Sequence, residues 1–419
     1  MVRPHVSRLP SLPAPLRLCV FAFLPSAAAA APDLRPDGPA ADPATVEISG
    51  LGAGAFEPAK REPSALHWVP DVRRPLIDPL PGKFRNIYAP SIVEAPDGWR
   101  VFYGAWDGVP TGNDRIYSVT TRDFLDFADR HTVIEHGPFQ HVCNVHATRL
   151  ADGSFTLVCT ALLRDTNLNK PVVFTSPDGM TWNGAKPPYV PSSKDLLALT
   201  GYPGWDSADV NGINVLLREG DAWRLYFGDY RNFGQVHRAS SLSPRSPPSS
   251  ATSAPFAYEG PVLEGRLAVN DIRKIGGVFL MGLHMNRDRI WYSVSPDSRA
   301  FPEARELFAS LDDAEKYIVA VGWVTRDDRL LGVLYGAGAN PNLAANRIFT
   351  RWVQRRAVLV AADGTRIEAL GARGPERQVF KIPGAGAFRG ECFAEDGTTR
   401  AGEIRATELT PGKAYRLTD

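Results

Sequence analysis

The chain has 419 residues, enough for one large all-β ring or for two or three domains of ordinary size. Its 47 Lys and Arg nearly balance 46 Asp and Glu, and this neutrality disfavours nucleic acid or an anionic membrane as a partner. Nine Trp, 12 Tyr and 20 Phe among 37 Gly and 36 Pro are typical of strands, tight turns and flat surfaces that stack on sugar rings.

The N-terminal residues have the pattern of an export signal. Arg3, Arg8 and Arg17 precede a short apolar run at 18–24, and small residues suited to cleavage follow. The apolar run is far shorter than the roughly 20 residues that a membrane span needs. We therefore expect a signal peptide at 1–31, a secreted or periplasmic protein without a membrane span, and a flexible Pro/Ala-rich leader at 32–62.

A unit of three strands recurs about five times between residues 86 and 360. Its second strand is rich in aromatic and aliphatic side chains in each copy: 99–106, 154–162, 223–230, 278–285 and 329–338. Phe102, Leu157, Tyr226, Leu280 and Val333 are equivalent positions, at intervals of 55, 69, 54 and 53 residues. A period of this length, made only of strands and turns, predicts an all-β, five-bladed β-propeller over 63–360.

The C-terminal part has a different pattern. Residues 361–419 hold short strand-like runs separated by Gly, Pro and Asp-Gly turns. They predict a small β-rich C-terminal extension, either a sandwich or a strand that latches the ring. Residues 242–255 are rich in Ser and Pro and predict a surface loop within the propeller.

The cysteines leave two alternatives open. Cys19 leaves with the signal peptide, and Cys392 has no evident partner. Cys143 and Cys159 are nearly symmetric about the turn at 151–154, which permits a cross-strand disulfide in an antiparallel hairpin. Two buried free thiols are the alternative. The chain has no Cys-x-x-Cys or His-x-x-x-His cluster, so we expect no zinc site.

The third strands and their corners resemble a known group of enzymes. The segments 117–124 (YSVTTRDF), 174–182 (FTSPDGMTW) and 292–297 (YSVSPD) resemble the strand-and-corner signature of five-bladed propeller glycosidases. The segment 88–92 (YAPSI) is similar to the first inner strand of arabinanases and xylosidases, glycoside hydrolase family 43 and relatives such as family 32. The Asp178 corner also resembles the sialidase Asp box with one residue missing, and its own role is to tie the turn while Trp182 packs between blades.

The resemblance implies an O-glycosyl hydrolase for furanosides or pentosides, with a pocket at one end of the channel. It also implies an Asp base, a second Asp that orients and tunes, and a Glu acid on or just before inner strands. This chain departs from that pattern at two positions. Ser91 stands where the arabinanase group often has Asp, and no Glu-Gly-Pro opens an inner strand, since Glu259-Gly260-Pro261 is better interpreted as an outer strand.

Three residues at the starts of inner strands are our catalytic candidates. Asp209 is the candidate general base or nucleophile, and Asp271 is its partner carboxylate, held ionised by Arg273 on the same strand face. His146 is the candidate proton donor in place of the missing Glu. As alternatives, each Asp caps a blade turn, and His146 lines the channel, binds a central water or cation, or belongs to the core.

Substrate binding is expected from polar and aromatic residues at the same strand starts: Asn86, Tyr88, Asn144, Asn211, Asn270, Arg273 and Trp323. We predict no metal ligand and no required cofactor, with a structural cation in the central channel as an open alternative. We expect a monomer with a carbohydrate as its partner.

Two functions compete on these observations. The first is a secreted glycoside hydrolase acting on a polysaccharide or oligosaccharide, with an acid/base pair at the channel mouth. The second is a non-catalytic carbohydrate-binding propeller. The five-blade pattern, the export signal, Asp209 and Asp271 favour the enzyme, whereas Ser91 and the missing Glu favour the binding protein.

Overall fold

The computed structural model describes residues 31–51, 61–245 and 255–418. Regular structure in these residues consists of strands and four single-turn 3-10 helices: Pro63–Ala65, Ser193–Asp195, Trp205–Ser207 and Asp313–Glu315. None of the described helices is long and apolar enough to cross a membrane. The expected signal peptide at 1–31 lies outside the described residues, except for Ala31.

The first two sheets of the ring are antiparallel meanders. Blade one has four strands: Phe84–Ala95, Gly98–Val109, Arg115–Thr121 and Ala128–Ile134. Blade two has three strands: His141–Arg149, Phe155–Leu162 and Asn169–Ser176. At the first turn Gly98 has a φ of +137°, and a β-carbon there would lie 2.2 Å from the Thr121 carbonyl oxygen. The Pro-Asp-Gly turn at 96–98 therefore needs its glycine.

Three further sheets follow in the chain. Blade three consists of Val215–Glu219, Ala222–Phe227, Gln235–Ser241 and Phe256–Glu264, with Leu199–Thr200 at its edge. Blade four consists of Ala268–Ile275, Val278–His284, Arg289–Ser295 and Arg305–Ala309. Blade five consists of Tyr317–Arg326, Arg329–Gly338 and Arg347–Val353, with Trp68–Pro70 as its fourth strand. Blade three begins at Val215, so Asp209, predicted at the start of an inner strand, lies six residues before it. The 3-10 helix at 205–207 and the positive φ of Gly212 interrupt the extended chain there.

The first and fifth blades are in direct contact. The Trp99 indole donates a hydrogen bond to the Thr325 carbonyl at 2.9 Å. A β-carbon on Gly322 would lie 2.3 Å from the Pro90 carbonyl oxygen, so the two inner strands pack backbone to backbone. With the N-terminal strand Trp68–Pro70 completing blade five, the five sheets confirm the predicted all-β, five-bladed propeller.

The corner of blade two has the structural role predicted from its sequence. Asp178 Oδ1 accepts the backbone N–H groups of Met180 and Thr181 at 2.8 and 2.7 Å. Trp182 is fully buried and makes an edge-to-face contact with Phe102 of blade one, with ring centres 5.9 Å apart. The corner therefore ties its own turn and packs two neighbouring blades together.

The other strands form a second β unit that takes strands from both ends of the chain. One sheet has the order Asp33–Pro39, Lys413–Thr418, Val46–Ser49, Arg377–Phe380 and Gly371–Arg373. The other has the order Arg366–Glu368, Ala357–Ala361, Gly386–Phe393 and Arg400–Leu409. The strands at 33–39 and 46–49 differ from the expected flexible leader, and the C-terminal unit starts at Ala357 rather than at 361. The reason is that Val46 and Ile48 are fully buried in one core with Leu359 of the opposite sheet.

Asp71 joins this unit to the ring. Its carboxylate is buried, and Oδ2 accepts the Trp352 indole N–H and the Gly374 backbone N–H, each at 2.9 Å. Arg73 pairs with Oδ1 at 2.9 Å. Because Trp352 lies in blade five and Gly374 in the second unit, one carboxylate connects both units.

Candidate active site

Four of the five inner strands bulge at a similar level of the ring. The pairing register shifts between Tyr88 and Ser91, between Cys143 and His146, between Val269 and Asp271, and between Ile318 and Ala320. Ala89 and Asn144 lie in two of these bulges with φ of 52° and 54°, values that are uncommon outside glycine. Bulges re-aim side chains next to binding sites. The inner strands therefore present an irregular set of residues to one mouth of the ring.

A cavity of about 360 Å³ occupies this mouth, within the range of about 300–1,000 Å³ that is usual for ligand sites. Its wall takes residues from all five blades. Four of the predicted binding residues lie on the wall: Asn86, Tyr88, Asn144 and Asn211. The other three, Asn270, Arg273 and Trp323, do not lie on the wall.

The described wall is rich in carboxamide side chains and carries no lysine or arginine. Seven asparagines line it: Asn86, Asn144, Asn169, Asn211, Asn286, Asn342 and Asn346. Tyr88, Trp106 and Tyr230 add aromatic rings, and Asp114 is the one carboxylate of the described wall. Carboxamides both donate and accept hydrogen bonds. The cavity therefore suits an uncharged ligand with many hydroxyl groups.

Asp114 and His141 are in contact on this wall. His141 Nδ1 lies 3.0 Å from Asp114 Oδ2 and 3.0 Å from the Asp114 backbone nitrogen. Burial and the Asp114 charge raise the pKa of the neighbouring Tyr88 phenol well above its usual value. Sequence reasoning missed Asp114 and His141, because Asp114 precedes a third strand rather than an inner one and His141 begins its inner strand five residues before the candidate His146. The available signal was a carboxylate directly before the third strand of blade one.

Three buried polar atoms of the wall have no hydrogen-bond partner within the described part of the chain. They are Asp114 Oδ1, Asn346 Oδ1 and Trp106 Nε1. Asp114 is 7% exposed and Asn346 is 2% exposed. Buried polar atoms are nearly always hydrogen-bonded to protein or water. Two acceptors and one donor are thus available to a ligand or to water at this one site.

His284 is fixed on the opposite part of the wall. Its Nδ1 lies 2.8 Å from Asn270 Oδ1, and its Nε2 lies 3.0 Å from Asn286 Oδ1. Burial lowers the pKa of His284 to about 4. The imidazole is therefore neutral at neutral pH. Asn270, which we predicted to bind substrate, instead lies behind His284 and orients it.

The structure brings His146, Asp271 and Arg273 together, but deeper in the channel than the cavity wall. Asp271 Oδ1 lies 3.0 Å from His146 Nε2 and 2.9 Å from Arg273 Nε, and Asp271 Oδ2 accepts the Trp323 backbone N–H at 2.9 Å. His146 and Asp271 are each 1% exposed. Burial acts to raise the Asp271 pKa, but the Arg273 charge and the His146 contact outweigh it and leave that pKa lowered. Burial lowers the pKa of His146. This central cluster therefore links blades two, four and five through an ionised carboxylate.

Asp209 lies apart from the central cluster. Its Oδ1 accepts the backbone N–H and the side-chain amide of Asn169 at 2.9 and 2.8 Å. Burial and the Asp209 charge raise the pKa of Tyr230 to about 12. Within the described residues Asp209 makes no hydrogen bond to His146 or Asp271. It is connected instead to the cavity, because both Asn169 and Tyr230 lie on the wall.

A second cavity, of about 750 Å³, lies between the hairpin turns of blades one and two. Its lining includes Trp99, Arg100, Arg149 and Asp178. Although larger, it mixes charges of both signs and lies on turns rather than on bulged inner strands. We therefore place the candidate site at the mouth cavity, whose wall carries three unpartnered polar atoms.

The structure decides between the disulfide and the two free thiols that the sequence left open for Cys143 and Cys159. Cys143 and Cys159 are buried free thiols, because Cys143 pairs with Thr160 and Cys159 with Val172. Among the described residues, no group of three or more His, Cys, Asp or Glu side chains is placed to hold a metal ion.

No profile of a known family and no curated protein matches this chain. Several solved structures are similar to it. A putative glycosidase from Bacteroides thetaiotaomicron has a TM-score of 0.50 and 13% identity, covering 69% of this chain and 97% of its own. An α-L-arabinofuranosidase from Podospora anserina has a TM-score of 0.48 and 13% identity, covering 69% and 97%. A family 117 glycoside hydrolase from Zobellia galactanivorans has a TM-score of 0.48 and 13% identity, covering 69% and 91%.

At these identities the similarity concerns the fold alone. The structure with a TM-score of 0.50 agrees with the five sheets of the ring. The chain therefore has the fold of the five-bladed β-propeller glycosidases, as its sequence resemblance predicted.

Proposed function

We propose that this protein is a glycoside hydrolase that cleaves furanoside or pentoside linkages of an oligosaccharide or polysaccharide in the mouth cavity. The chemistry of the wall is the observation that carries this proposal. Asn carboxamides match the mixed donor and acceptor character of sugar hydroxyls, and the unpartnered atoms of Asp114, Asn346 and Trp106 add three contacts. Without Lys or Arg, the wall favours a neutral sugar over an anionic one.

Hydrolysis of a glycoside needs a proton donor and a base on either side of the bond. Of the three residues predicted to be catalytic, Asp209 is the one that hydrogen-bonds a wall residue, through Asn169. We propose it as the base. Asp271 is buried and bonded to His146, Arg273 and the Trp323 backbone, and His146 is buried with its Nε2 on Asp271, which supports a structural role for both. His146 Nδ1 has no hydrogen-bond partner among the described residues.

One observation favours the second candidate function, binding of a carbohydrate without cleavage. Most glycosidases place two carboxyl groups about 5–9.5 Å apart around the bond. The described wall carries only Asp114. If Asp209 stays behind Asn169 when a ligand is bound, the site holds a sugar and leaves its linkage intact.

The pattern at 1–31 supports export to the periplasm or the medium, where polysaccharides are available. We propose that the protein acts there as a monomer. The balanced charge of the chain fits a neutral carbohydrate as its partner.

A sugar-release assay tests the enzyme. Wild type and the Asp209→Asn variant are compared on 4-nitrophenyl furanosides, arabinan and arabinogalactan, with Asp165→Asn as a matched control on an exposed loop. We expect turnover by wild type and control, and a loss of about 10²–10⁴-fold in Asp209→Asn. Binding of these sugars without turnover by wild type would support the binding protein and exclude the enzyme. Equal activity of Asp209→Asn would keep the enzyme and reject Asp209 as its base.

A further inference from the structure

Building on the proposed function, we propose that Asp114 and His141 form the proton-transfer pair of the mouth cavity. His141 contacts the glycosidic oxygen of the substrate through Nε2, and Asp114 is its positioning residue through Nδ1. Neither residue was a candidate from the sequence. The pair would transfer the proton that His146 and Asp271, which are buried in this structure, cannot deliver to a ligand in the cavity.

Asp114 differs from the other buried aspartates that the structure describes. Asp71, Asp107, Asp195 and Asp271 each pair with an arginine: Arg73, Arg130, Arg245 and Arg273. Asp229 has both oxygens occupied by N–H or O–H donors. Asp114 pairs with a histidine and leaves Oδ1 without a partner on the cavity wall. Leaving one oxygen of a buried carboxylate without a hydrogen bond costs folding free energy unless a ligand or water donates to it.

The backbone holds this pair in place from two blades. The Asp114 carbonyl accepts the Val142 N–H at 3.1 Å, and the Asn113 side chain donates to the Gln140 carbonyl at 2.8 Å. The start of the third strand of blade one is thereby fixed against the start of the inner strand of blade two. The Asp114 backbone N–H donates to His141 Nδ1 at 3.0 Å, and Asp114 Oδ2 lies 3.0 Å from the same nitrogen and pairs with it when the ring is protonated. Nε2 has no protein partner among the described residues. Nε2 is the ring nitrogen left for a ligand, the arrangement by which a carboxylate orients a catalytic imidazole.

Few other titratable groups face His141. Tyr88 and Cys143 lie on the same wall, and burial raises the pKa of both, so both are neutral at neutral pH. Arg115, next to Asp114 in the chain, is paired with Glu135 at 2.7 Å. The charge state of the pair therefore rests on Asp114 and His141 themselves.

The reaction balances with the groups already named. The His141 imidazolium gives its Nε2 proton to the glycosidic oxygen, the bond from the sugar carbon to that oxygen breaks, and its electron pair stays with the leaving oxygen. The Asp114 carboxylate holds the His141 ring in place and stabilises the imidazolium before this transfer. Water adds to the same carbon and gives a proton to the Asp209 carboxylate. Proton exchange with solvent returns His141 and Asp209 to their starting states.

The test uses two aryl arabinofuranosides that differ in leaving group, 4-nitrophenyl and the less acidic 4-methoxyphenyl. We compare wild type, His141→Gln and Asp114→Asn, with His131→Gln and Asp129→Asn on the outer strand of blade one as matched controls. A poor leaving group needs its proton more. We expect His141→Gln to lower kcat by about 10²–10⁴-fold on the methoxyphenyl substrate and much less on the nitrophenyl one. Asp114→Asn is expected to lower kcat more on the methoxyphenyl than on the nitrophenyl substrate, because His141 loses the carboxylate that positions it.

Equal losses on both substrates, or wild-type rates in His141→Gln, would overturn the pair while leaving the enzyme intact. If wild type cleaves no glycoside, the proposed function fails, and the pair is judged by binding alone. In that case, addition of free arabinose must shift the His141 ring nitrogens in nitrogen-15 spectra, and Asp114→Asn must abolish the shift. An unresponsive His141 would overturn the inference as well. Circular dichroism confirms that each variant is folded.

Discussion

Replacing Asp271 by alanine is expected to destabilise the ring strongly. Its carboxylate holds Arg273, His146 and the Trp323 backbone N–H, and it is 1% exposed, while the Arg273 side chain is 14% exposed. Alanine leaves a largely buried guanidinium without its counter-charge, and breaking one side of a buried ion pair costs about 3–5 kcal/mol. At about 2 °C per kcal/mol for a large domain, the expected fall in Tm is about 6–10 °C.

The same carboxylate makes stability depend on pH. Burial opposes ionisation of Asp271, but Arg273 and His146 leave its pKa lowered, so its contribution is present above the unfolded value of about 3.9. That contribution is lost as pH falls through the folded pKa. Burial lowers the His146 pKa, so protonation of the unfolded chain below about pH 6.5 also favours unfolding. Stability therefore falls on acidification first with His146 and then, at lower pH, with Asp271. The Asp271→Ala variant lacks the second fall.

Urea denaturation measures this prediction directly. The matched control is Asp288→Ala, which removes an exposed ion pair with Arg289 on the same blade and is expected to change stability little. Arg273→Met combined with Asp271→Ala removes both charges and is expected to recover part of the loss. The reasoning is refuted if Asp271→Ala and Asp288→Ala have equal effects, or if the double variant is less stable than Asp271→Ala alone.

Three further predictions concern packing and thiols. Gly322→Ala places a β-carbon 2.3 Å from a backbone carbonyl oxygen of blade one, so calorimetry should show a lower Tm. Gly234→Ala, whose β-carbon would meet open space, should leave Tm unchanged. Equal Tm values for the two variants would contradict the close packing. Asp71→Ala removes the buried link between the two units, and limited proteolysis should cut their junction sooner; an unchanged pattern would argue against that link. Cys143 and Cys159 should react with Ellman's reagent only after unfolding, and a pair resistant to alkylation in denaturant without reductant would contradict free thiols.

The blades could be predicted because each is built by neighbours in the chain. The turn between Ala95 and Gly98 closes within one hairpin, and the aromatic second strand follows at once. Turn residues and strand composition are local signals. The Asp178 corner could be interpreted for the same reason, since its hydrogen bonds reach only the next few residues.

The functional wall could not be predicted in the same way. Asp114 precedes a third strand and gains its importance from His141 of the next blade, a contact that no local pattern encodes. Arg273 was expected to pair with Asp271, and the structure has that pair, but the sequence could not tell that His146 and Asp271 would both be buried. Burial is a property of the closed ring.

The N-terminal strands of the second unit could not be recognised in the sequence because of their composition. Gly, Pro and Asp surround Val46 and Ile48, so the segment has the composition of a flexible leader. Its strand pairs with Arg377–Phe380, almost the whole length of the chain away. Pairing at such a distance overrides local composition, and a single sequence contains no sign of it.

This pairing determines when the protein can finish folding during synthesis. Trp68–Pro70 can pair only after Arg347–Val353 has been synthesised, and Asp33–Pro39 only after Lys413–Thr418 has been synthesised. Neither unit has its full set of strands until nearly all of the chain has left the ribosome. Structures rich in such distant contacts fold slowly, and their open strand edges aggregate readily. The nascent chain therefore exposes unpaired strand edges for most of its translation, and deleting Lys413–Thr418 removes a strand that pairs on both sides, with Asp33–Pro39 and with Val46–Ser49.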